Sequence, residues 1–516
     1  MNTKTALMHQ MKRITIIAII FLLSRAALCQ STTFSKVFGN DSSLGYGGVS
    51  ITSYNDSIYF SMFDQDLSVS YQATTFIKTD PNGNLSISSR LFKPDFYFDG
   101  GLLRMTKNEN LISGGGSGSL VVQADMGTFY KFNKYTLDTF FLNYYSHGNI
   151  SVFYGFCELS DGNLLFCGEA GDNSIQGRAA AWMVKTDTMG NEIWQKTMAS
   201  DDYNGAYTPY TFNGGFYQPW GTAHRNTASG NPADSAIFVD KYDNNGNLIW
   251  RDTFGTIGYD NAQGPFTGIK EGGGVITLNI LDMTGSQSGP TVIYKFDTNG
   301  AIVWQKYFQR SPMGLLMNSM TETESGDIVI CGEGYGKIRN TDTIFHDGGC
   351  ILKLDKNGNT IFYQVYDYDS TWQDILNDIT ETADGGYACV GDAYEHIGNT
   401  NYERAWLLKV DSNGCLNGDC PTLYTGIKPI ADLINFFVFP NPATSQFTVA
   451  LAGPNDIYGY SDLHFTLFDL TGRLVMDQPL KEQTTVLHRN DLTSGMYLWQ
   501  IADDNKTLSN GKLVLR

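Results

Sequence analysis

The sequence predicts an all-β chain assembled from repeats. Three observations carry that expectation: the composition, a phrase that returns at a near-constant interval, and two turn signals inside each interval. The 516 residues include 55 Gly, 29 Tyr, 31 Phe and 8 Trp, and only 17% are charged, against about 25% in ordinary soluble chains. Long helices need more Ala, Glu, Lys and Leu than this. A 42% apolar content excludes a disordered chain, and the absence of heptads excludes a coiled coil.

The N-terminus comes first. Residues 1–29 read as an export signal: Lys12 and Arg13 precede the apolar run Ile14–Leu23, and Ala27-Leu28-Cys29 sets small residues before Gln30. Ten apolar residues are too few for a membrane span, which takes about 20, and no later segment is expected to cross one. The signal carries four basic residues and no acid, so its removal makes the formal charge of −18 more negative. A surface that acidic repels phosphate backbones, and nucleic acid is not expected as a partner.

The repeat follows. Lys-x-Asp-x-x-Gly-Asn occurs at Lys78, Lys185, Lys241, Lys295, Lys353 and Lys409, with a degenerate copy at Lys131; successive lysines lie 53, 54, 56, 54, 58 and 56 residues apart. Nine residues after each lysine comes an apolar side chain: Ile87, Phe140, Trp194, Trp250, Trp304 and Phe362. The Asp-x-Asn-Gly element between β-rich runs reads as a hairpin turn with Gly supplying positive φ. Upstream, every unit has a second turn, such as Asp161-Gly162, Gly326-Asp327 or Gly385-Gly386. Two hairpins per unit make four antiparallel strands, and seven such units predict a seven-bladed β-propeller.

The seventh unit stops after Gly414, where Cys415-Leu-Asn-Gly-Asp-Cys420 replaces an outer strand. Phe34-Ser-Lys36-Val-Phe38 matches the missing piece, so residues 34–38 are expected to close the last blade and remove exposed sheet edges. The propeller is therefore expected over 33–420. These units resemble propeller-type repeats of exported proteins in bacteria that use type IX secretion.

A linker is expected over 421–435, after which short alternating strands with Gly, Asn and Pro turns predict a small Ig-like β-sandwich over 436–516. Pro440-Asn441-Pro442, the Asp469-Leu-Thr-Gly472-Arg473 turn, Gly495-Met-Tyr and the terminal Gly511-Lys512-Leu-Val-Leu together resemble the type A C-terminal sorting domain of type IX secretion. That resemblance implies recognition by the outer-membrane translocon, processing by a surface sortase, and a destination outside the cell or on its outer surface, reached through the periplasm.

Chemistry is harder to find. Cys415 and Cys420 close a short loop and are expected to pair; Cys157 with Cys167 and Cys331 with Cys350 would lie on neighbouring strands, and Cys389 reads as a buried thiol. No spacing of Cys or His fits zinc, and each Asp-x-Asn-Gly turn brings about one carboxylate where calcium wants six to eight oxygens. No metal and no cofactor are therefore expected. His147, His224, His346 and His396 read as loop residues, and Gly114-Gly-Gly-Ser-Gly118 as a loop after a strand.

The loops joining successive units hold aromatic residues beside acids: Asp95 with Tyr97, Asp202 with Tyr203, Tyr259 with Asp260, and Tyr368 with Asp369 and Trp372. Ring faces flanked by carboxylates suit sugars, because C–H faces stack while hydroxyls hydrogen-bond. The regular repeat points to a binding or adhesion module whose ligand is a carbohydrate or a protein. A hydrolase or lyase on polysaccharide, with paired acids on the loop-rich face, is the alternative.

Overall fold

The computed structural model describes residues 32–516 apart from 40–43, 67–70, 93–95, 99–100, 120–123, 172–178, 199–202, 224–235, 255–259, 282–290, 309–314, 337–345, 369–373, 398–399, 422–434, 440–441, 453–462, 482–483, 491 and 504–505. The described residues form strands and turns, with no helix among them. Seven antiparallel sheets of four or five strands come first, here numbered I to VII in chain order. Their innermost strands are Leu44–Tyr54 (I), Leu102–Met105 with Phe96–Phe98 (II), Ile150–Glu158 (III), Tyr210–Phe212 with Tyr203–Ala206 (IV), Asp260–Gly268 (V), Leu316–Glu322 (VI) and Ile375–Glu381 (VII).

Each sheet runs inner strand to outer strand in sequence order, except the last. Sheet VII takes its outermost strand from the far end of the chain: Phe34–Phe38 pairs antiparallel with Thr400–Val410, Phe34 opposite Lys409 and Phe38 opposite Ala405. Phe34 thereby takes the place that Trp194, Trp250, Trp304 and Phe362 hold opposite Lys185, Lys241, Lys295 and Lys353. The turn of sheet II is one residue longer than its counterparts, with Asn133 N donating to Asp138 O where Asp187 N donates to Asn191 O, so Phe141, not the expected Phe140, faces Lys131 and packs inward; Phe140 is 61% exposed. Gly114–Gly118 lies inside the strand Leu111–Ser119 and not in a loop. Packing requires its bareness, since a Cβ on Gly114 would come within 2.9 Å of the Phe166 ring of sheet III.

Apolar side chains alternate along the strands and fill the spaces between sheets. Tyr59 and Phe76 of I meet Leu111 and Phe132 of II; Phe129 of II meets Phe166 and Trp182 of III; Ile330 and Leu352 of VI meet Val275 and Ile293 of V. The series continues between VII and I, where Phe34, Val390 and Leu407 of VII pack with Ile51 and Phe60 of I. Face-to-face stacking of twisted sheets around shared apolar layers is the β-propeller arrangement.

The repeated phrase has a physical meaning in this arrangement. In the turn after Lys185, Asp187 Oδ1 accepts the N–H groups of Met189 (2.8 Å) and Asn191 (2.9 Å), while Oδ2 accepts Asn191 Nδ2 (2.7 Å). Asp80, Asp243 and Asp355 do the same with Asn84, Asn247 and Asn359. The glycine before each Asn sits at φ between 72° and 80° in these four turns, a conformation that other residues rarely adopt. The lysine reaches outward: Lys185 Nζ donates to Asn244 O of sheet IV (2.7 Å), Lys241 to Thr298 O of V (2.8 Å) and Lys295 to Lys356 O of VI (3.0 Å). Lys36 on the N-terminal strand donates to Asn82 O of sheet I (2.7 Å). One residue type thus ties each turn to the turn of the next sheet.

The C-terminal residues form two further sheets. Asn435–Phe439, Gln446–Ala452 and Thr484–His488 make one; Leu463–Phe468, Leu474–Pro479, Gly495–Asp503 and Lys506–Leu515 make the other. Phe447 and Val449 from the first pack on Phe465, Leu467, Trp499, Ile501 and Leu513 from the second.

Candidate functional site

Every innermost strand is irregular at one depth. In sheets I, III, V, VI and VII its register with the second strand slips, between Gly48 and Ser50, Phe153 and Gly155, Gln263 and Phe266, Met317 and Ser319, and Leu376 and Asp378. In sheets II and IV the inner strand is broken instead, both pieces pairing with the same second strand. A bulge bends the strand and re-aims a side chain. The residues at the slips and breaks include Val49, Gly101, Tyr154, Thr208, Gly264, Asn318 and Asn377, and all of them line one cavity of about 780 Å³ walled by all seven sheets.

One wall is held by charge. The Asp378 carboxylate, 3% exposed, accepts Ser50 Oγ (2.7 Å), Ile51 N (2.9 Å) and Arg104 Nη1 (2.7 Å) on Oδ2, and Ser319 Oγ (2.6 Å) on Oδ1. Those partners stand on sheets I, II and VI, so one buried carboxylate links four sheets. Ser50 is small enough to let Arg104 reach across sheet I, where its Nη1 also donates to Ile51 O (3.1 Å). Such a network is strong when every member has a partner.

The other wall is aromatic. Tyr154 of sheet III and Tyr207 of sheet IV stack with centroids 6.4 Å apart and planes 25° apart, and they keep 40% and 37% of their surface accessible. Near one end of the cavity, Glu158 accepts Lys107 N (2.6 Å) and Asn108 Nδ2 (2.8 Å) from sheet II.

At the end of sheet VII opposite its 382–386 turn lies a group of buried acids. Asp374 accepts the N–H groups of Tyr368 (2.7 Å) and Tyr394 (3.2 Å); burial, with the carboxyl of Asp367 beside it, pushes it up to about 7. Asp392 accepts Gly48 N (3.0 Å) and Asn377 Nδ2 (3.0 Å); burial, with the charge of Glu403 adding, pushes it up to about 7 as well. Asn377 therefore connects the cavity lining to this acid group.

Of the residues singled out from sequence, Tyr368 is placed with its side chain partly buried and its N–H held by Asp374. Tyr203 and Asp260 open inner strands, opposite Ala223 and Leu281. Asp202, Tyr259, Asp369 and Trp372 lie outside the described residues, as do His224, Asp95, Pro440, Asn441 and the signal segment. Sequence reasoning missed Asp378 and Arg104. Aligning Asn318-Ser-Met-Thr321 with Asn377-Asp-Ile-Thr380 would have exposed an acid where the neighbouring repeat has serine. Among the described residues no cluster of His, Cys, Asp and Glu is placed to hold a metal ion.

Cys415 and Cys420 are bonded. Cys157, Cys167, Cys331, Cys350 and Cys389 are free thiols. Register explains why neighbouring strands do not join them: Cys157 stands opposite Leu165 and Cys350 opposite Gly332.

The C-terminal motifs have structural roles too. Asp469 accepts Thr471 Oγ1 (2.6 Å) and the N–H groups of Thr471 (2.9 Å) and Arg473 (3.0 Å), which hold its carboxyl down at about 2, and Gly472 has φ 84°. Ala443, next to Pro442, donates its N–H to Val514 O (2.8 Å) and accepts from Arg516 N (2.8 Å). A Cβ on Gly511 would strike the Trp499 ring at 2.6 Å, and Gly495 and Lys512 stand opposite Leu515 and Leu498.

Residues 437–516 match the family of secretion system C-terminal sorting domains. No curated protein matches the chain. Among solved structures, the chain is similar to a catalytically inactive virginiamycin B lyase from Staphylococcus aureus with quinupristin, at 10% identity over 73% of this chain and 99% of that one, with a TM-score of 0.42. It is similar to PorZ, a surface component of the type IX secretion system of Porphyromonas gingivalis, at 10% identity over 90% and 75%, TM-score 0.28. The β-propeller domain of the trilobed protease of Pyrococcus furiosus aligns at 8% identity over 73% and 97%, TM-score 0.39. The sheet pairings themselves carry the fold assignment. No helix of the described residues is long and apolar enough to cross a membrane. The chain is a β-propeller protein with a type IX secretion C-terminal sorting domain, exported to the cell surface or released from it.

Proposed function

We propose that sheets I–VII are the seven blades of a closed propeller over 33–420, that 1–29 is a cleaved signal, that 421–435 is a linker, and that 436–516 is an Ig-like sandwich read by the translocon and a surface sortase. The propeller acts outside the cell as a binding or adhesion module for a carbohydrate or protein ligand. The observation that carries this reading is the cavity of about 780 Å³ walled by all seven sheets, a volume within the roughly 300–1,000 Å³ of ligand sites. Asp202, Tyr203, Tyr259, Asp260, Tyr368, Asp369 and Trp372, which the sequence sets between successive repeats, are proposed as further contacts on the loop-rich face.

A second reading, a polysaccharide hydrolase or lyase, draws on Asp374, whose carboxyl is pushed up to about 7 beside Asp367. A carboxyl protonated at neutral pH can serve as a general acid. Both of its oxygens, however, hold backbone N–H groups, which favours a loop-fastening role.

The two readings are separated by screening the mature protein against glycans and polysaccharides for both retention and bond cleavage. Retention without cleavage is expected; turnover abolished by Asp374→Asn would reverse the order. For the export reading, a chain lacking 436–516 should accumulate inside the outer membrane, and its appearance in the medium would refute the sorting assignment.

A further inference from the structure

We infer that the ligand of the cavity is a neutral sugar chain, whose ring stacks on the Tyr154–Tyr207 pair; this rests on the binding-module reading and names its ligand class. The first argument is the tyrosines. Large aromatic residues on inner strands are expected to be covered by the next sheet, and Phe153 and Phe156 are. Tyr154 and Tyr207 instead keep 40% and 37% of their surface accessible, and both line the cavity. Tyr154 is the bulged residue of its strand, and Tyr207 falls in the break of the inner strand of sheet IV. Each irregularity turns an aromatic face away from its own sheet and into the cavity.

The second argument is charge. The lining holds two carboxylates, Asp378 and Glu158, and each is engaged within the protein: Asp378 by Arg104, Ser50 and Ser319, Glu158 by Lys107 N and Asn108. The guanidinium of Arg104 faces Asp378 through both terminal nitrogens. A cationic ligand would have to displace Arg104 from Asp378, and breaking a largely buried pair is strongly unfavourable; the remaining charge of the lining is the single exposed Lys107.

Apart from the exposed Lys107, what remains for a ligand is neutral. Asn318 is exposed, with its Nδ2 donating to Leu376 O (3.0 Å) and to Asn377 Oδ1 (3.4 Å); Thr321, Thr380 and Thr52 add hydroxyls to the same lining. Amides and hydroxyls both donate and accept, which is the chemistry that recognises sugar hydroxyls. An aromatic platform opposite such groups suits a ring with apolar C–H faces and a polar rim.

The test uses the full mature chain, probed by titration calorimetry with neutral cello-, xylo- and manno-oligosaccharides and with oligogalacturonate as the acidic counterpart. At least one neutral probe should bind, and Tyr154→Ala and Tyr207→Ala should each weaken it about tenfold. Tyr154→Phe, which keeps the ring, should stay within about threefold, and unchanged thermal unfolding of all three variants would show that the fold is intact. Wild-type affinity in both alanine variants would overturn the tyrosine platform while leaving a binding module in place. Binding of oligogalacturonate alone would overturn the neutral-ligand assignment. Binding of no sugar, alongside capture of a protein ligand, would overturn the sugar inference; no ligand of either kind would bring down the underlying binding reading.

Discussion

The two ends of the sheets use the same functional group in opposite ways. At the turn end, Asp80, Asp187 and Asp243 lie near the surface; hydrogen bonds from the Asn four residues on, by side chain and by backbone N–H, hold their carboxyls below the usual range. At the loop end of sheet VII, burial pushes Asp374 and Asp392 up to about 7 despite two hydrogen bonds each. Between the ends sits Asp378, buried but matched to a guanidinium. The lesson is that donors decide the state of a carboxylate near water, whereas desolvation outweighs a similar number of donors in the interior. The turn end is locally self-sufficient, and the loop end depends on what packs over it.

The comparison can be broken at its centre. Asp378→Ala strands Arg104, two hydroxyls and Ile51 N without their acceptor, and should destabilise the protein on the order of 3 kcal/mol. A urea midpoint at pH 7.5 reads this directly; a change under about 1 kcal/mol would mean that the four-sheet link contributes no more than a surface pair. Next in size is Asp384→Asn at the turn end. Lys409, 4% exposed at its side chain, then loses the carboxylate 2.5 Å away, and a loss of about 2 kcal/mol is expected. Part of it should return in the double variant with Lys409→Met, and full additivity would show that the pair does not interact.

The loop end is tested by pH. A carboxyl raised in the folded state binds its proton there at pH values where the unfolded chain has released it. Its contribution is therefore present below about pH 4 and lost as pH rises through about 7. Asp392→Asn should flatten the fall in stability across that window, and an unchanged slope would remove Asp392 from the account. The smallest effect belongs to Asp187→Ala. Its depressed carboxyl contributes above the unfolded pKa and is lost as pH falls below about 4, so the variant should lose under about 1 kcal/mol at pH 7 and less still in acid. An equal loss at pH 3 and pH 7 would show that the turn does not depend on the ionised form.

Much of this architecture was legible in the residues, for a definite reason. The Asp-x-Asn-Gly-Asn turn closes through contacts at two and four residues along the chain, so its chemistry is written locally and its recurrence can be counted. The C-terminal motifs were readable on the same terms, since Asp469 bonds Thr471 and Arg473 within one turn. The displacement of Phe140 follows from the turn Asn133–Asp138, one residue longer than its counterparts, in the copy whose phrase is degenerate. The glycine run at Gly114 was not legible as strand, because its bareness answers to Phe166, 52 positions away.

The sequence by itself determined the strands, the turns, their period and the sorting motifs, because each depends on neighbours a few positions apart. Tertiary structure alone decided the candidate site. Asp378 gathers Ser50, Arg104 and Ser319 across separations of 328, 274 and 59 residues, and Tyr154 meets Tyr207 only once sheets III and IV stand side by side. No local pattern encodes such meetings. They follow from packing seven sheets through their apolar faces, which brings the irregular points of seven inner strands to one depth around a shared space.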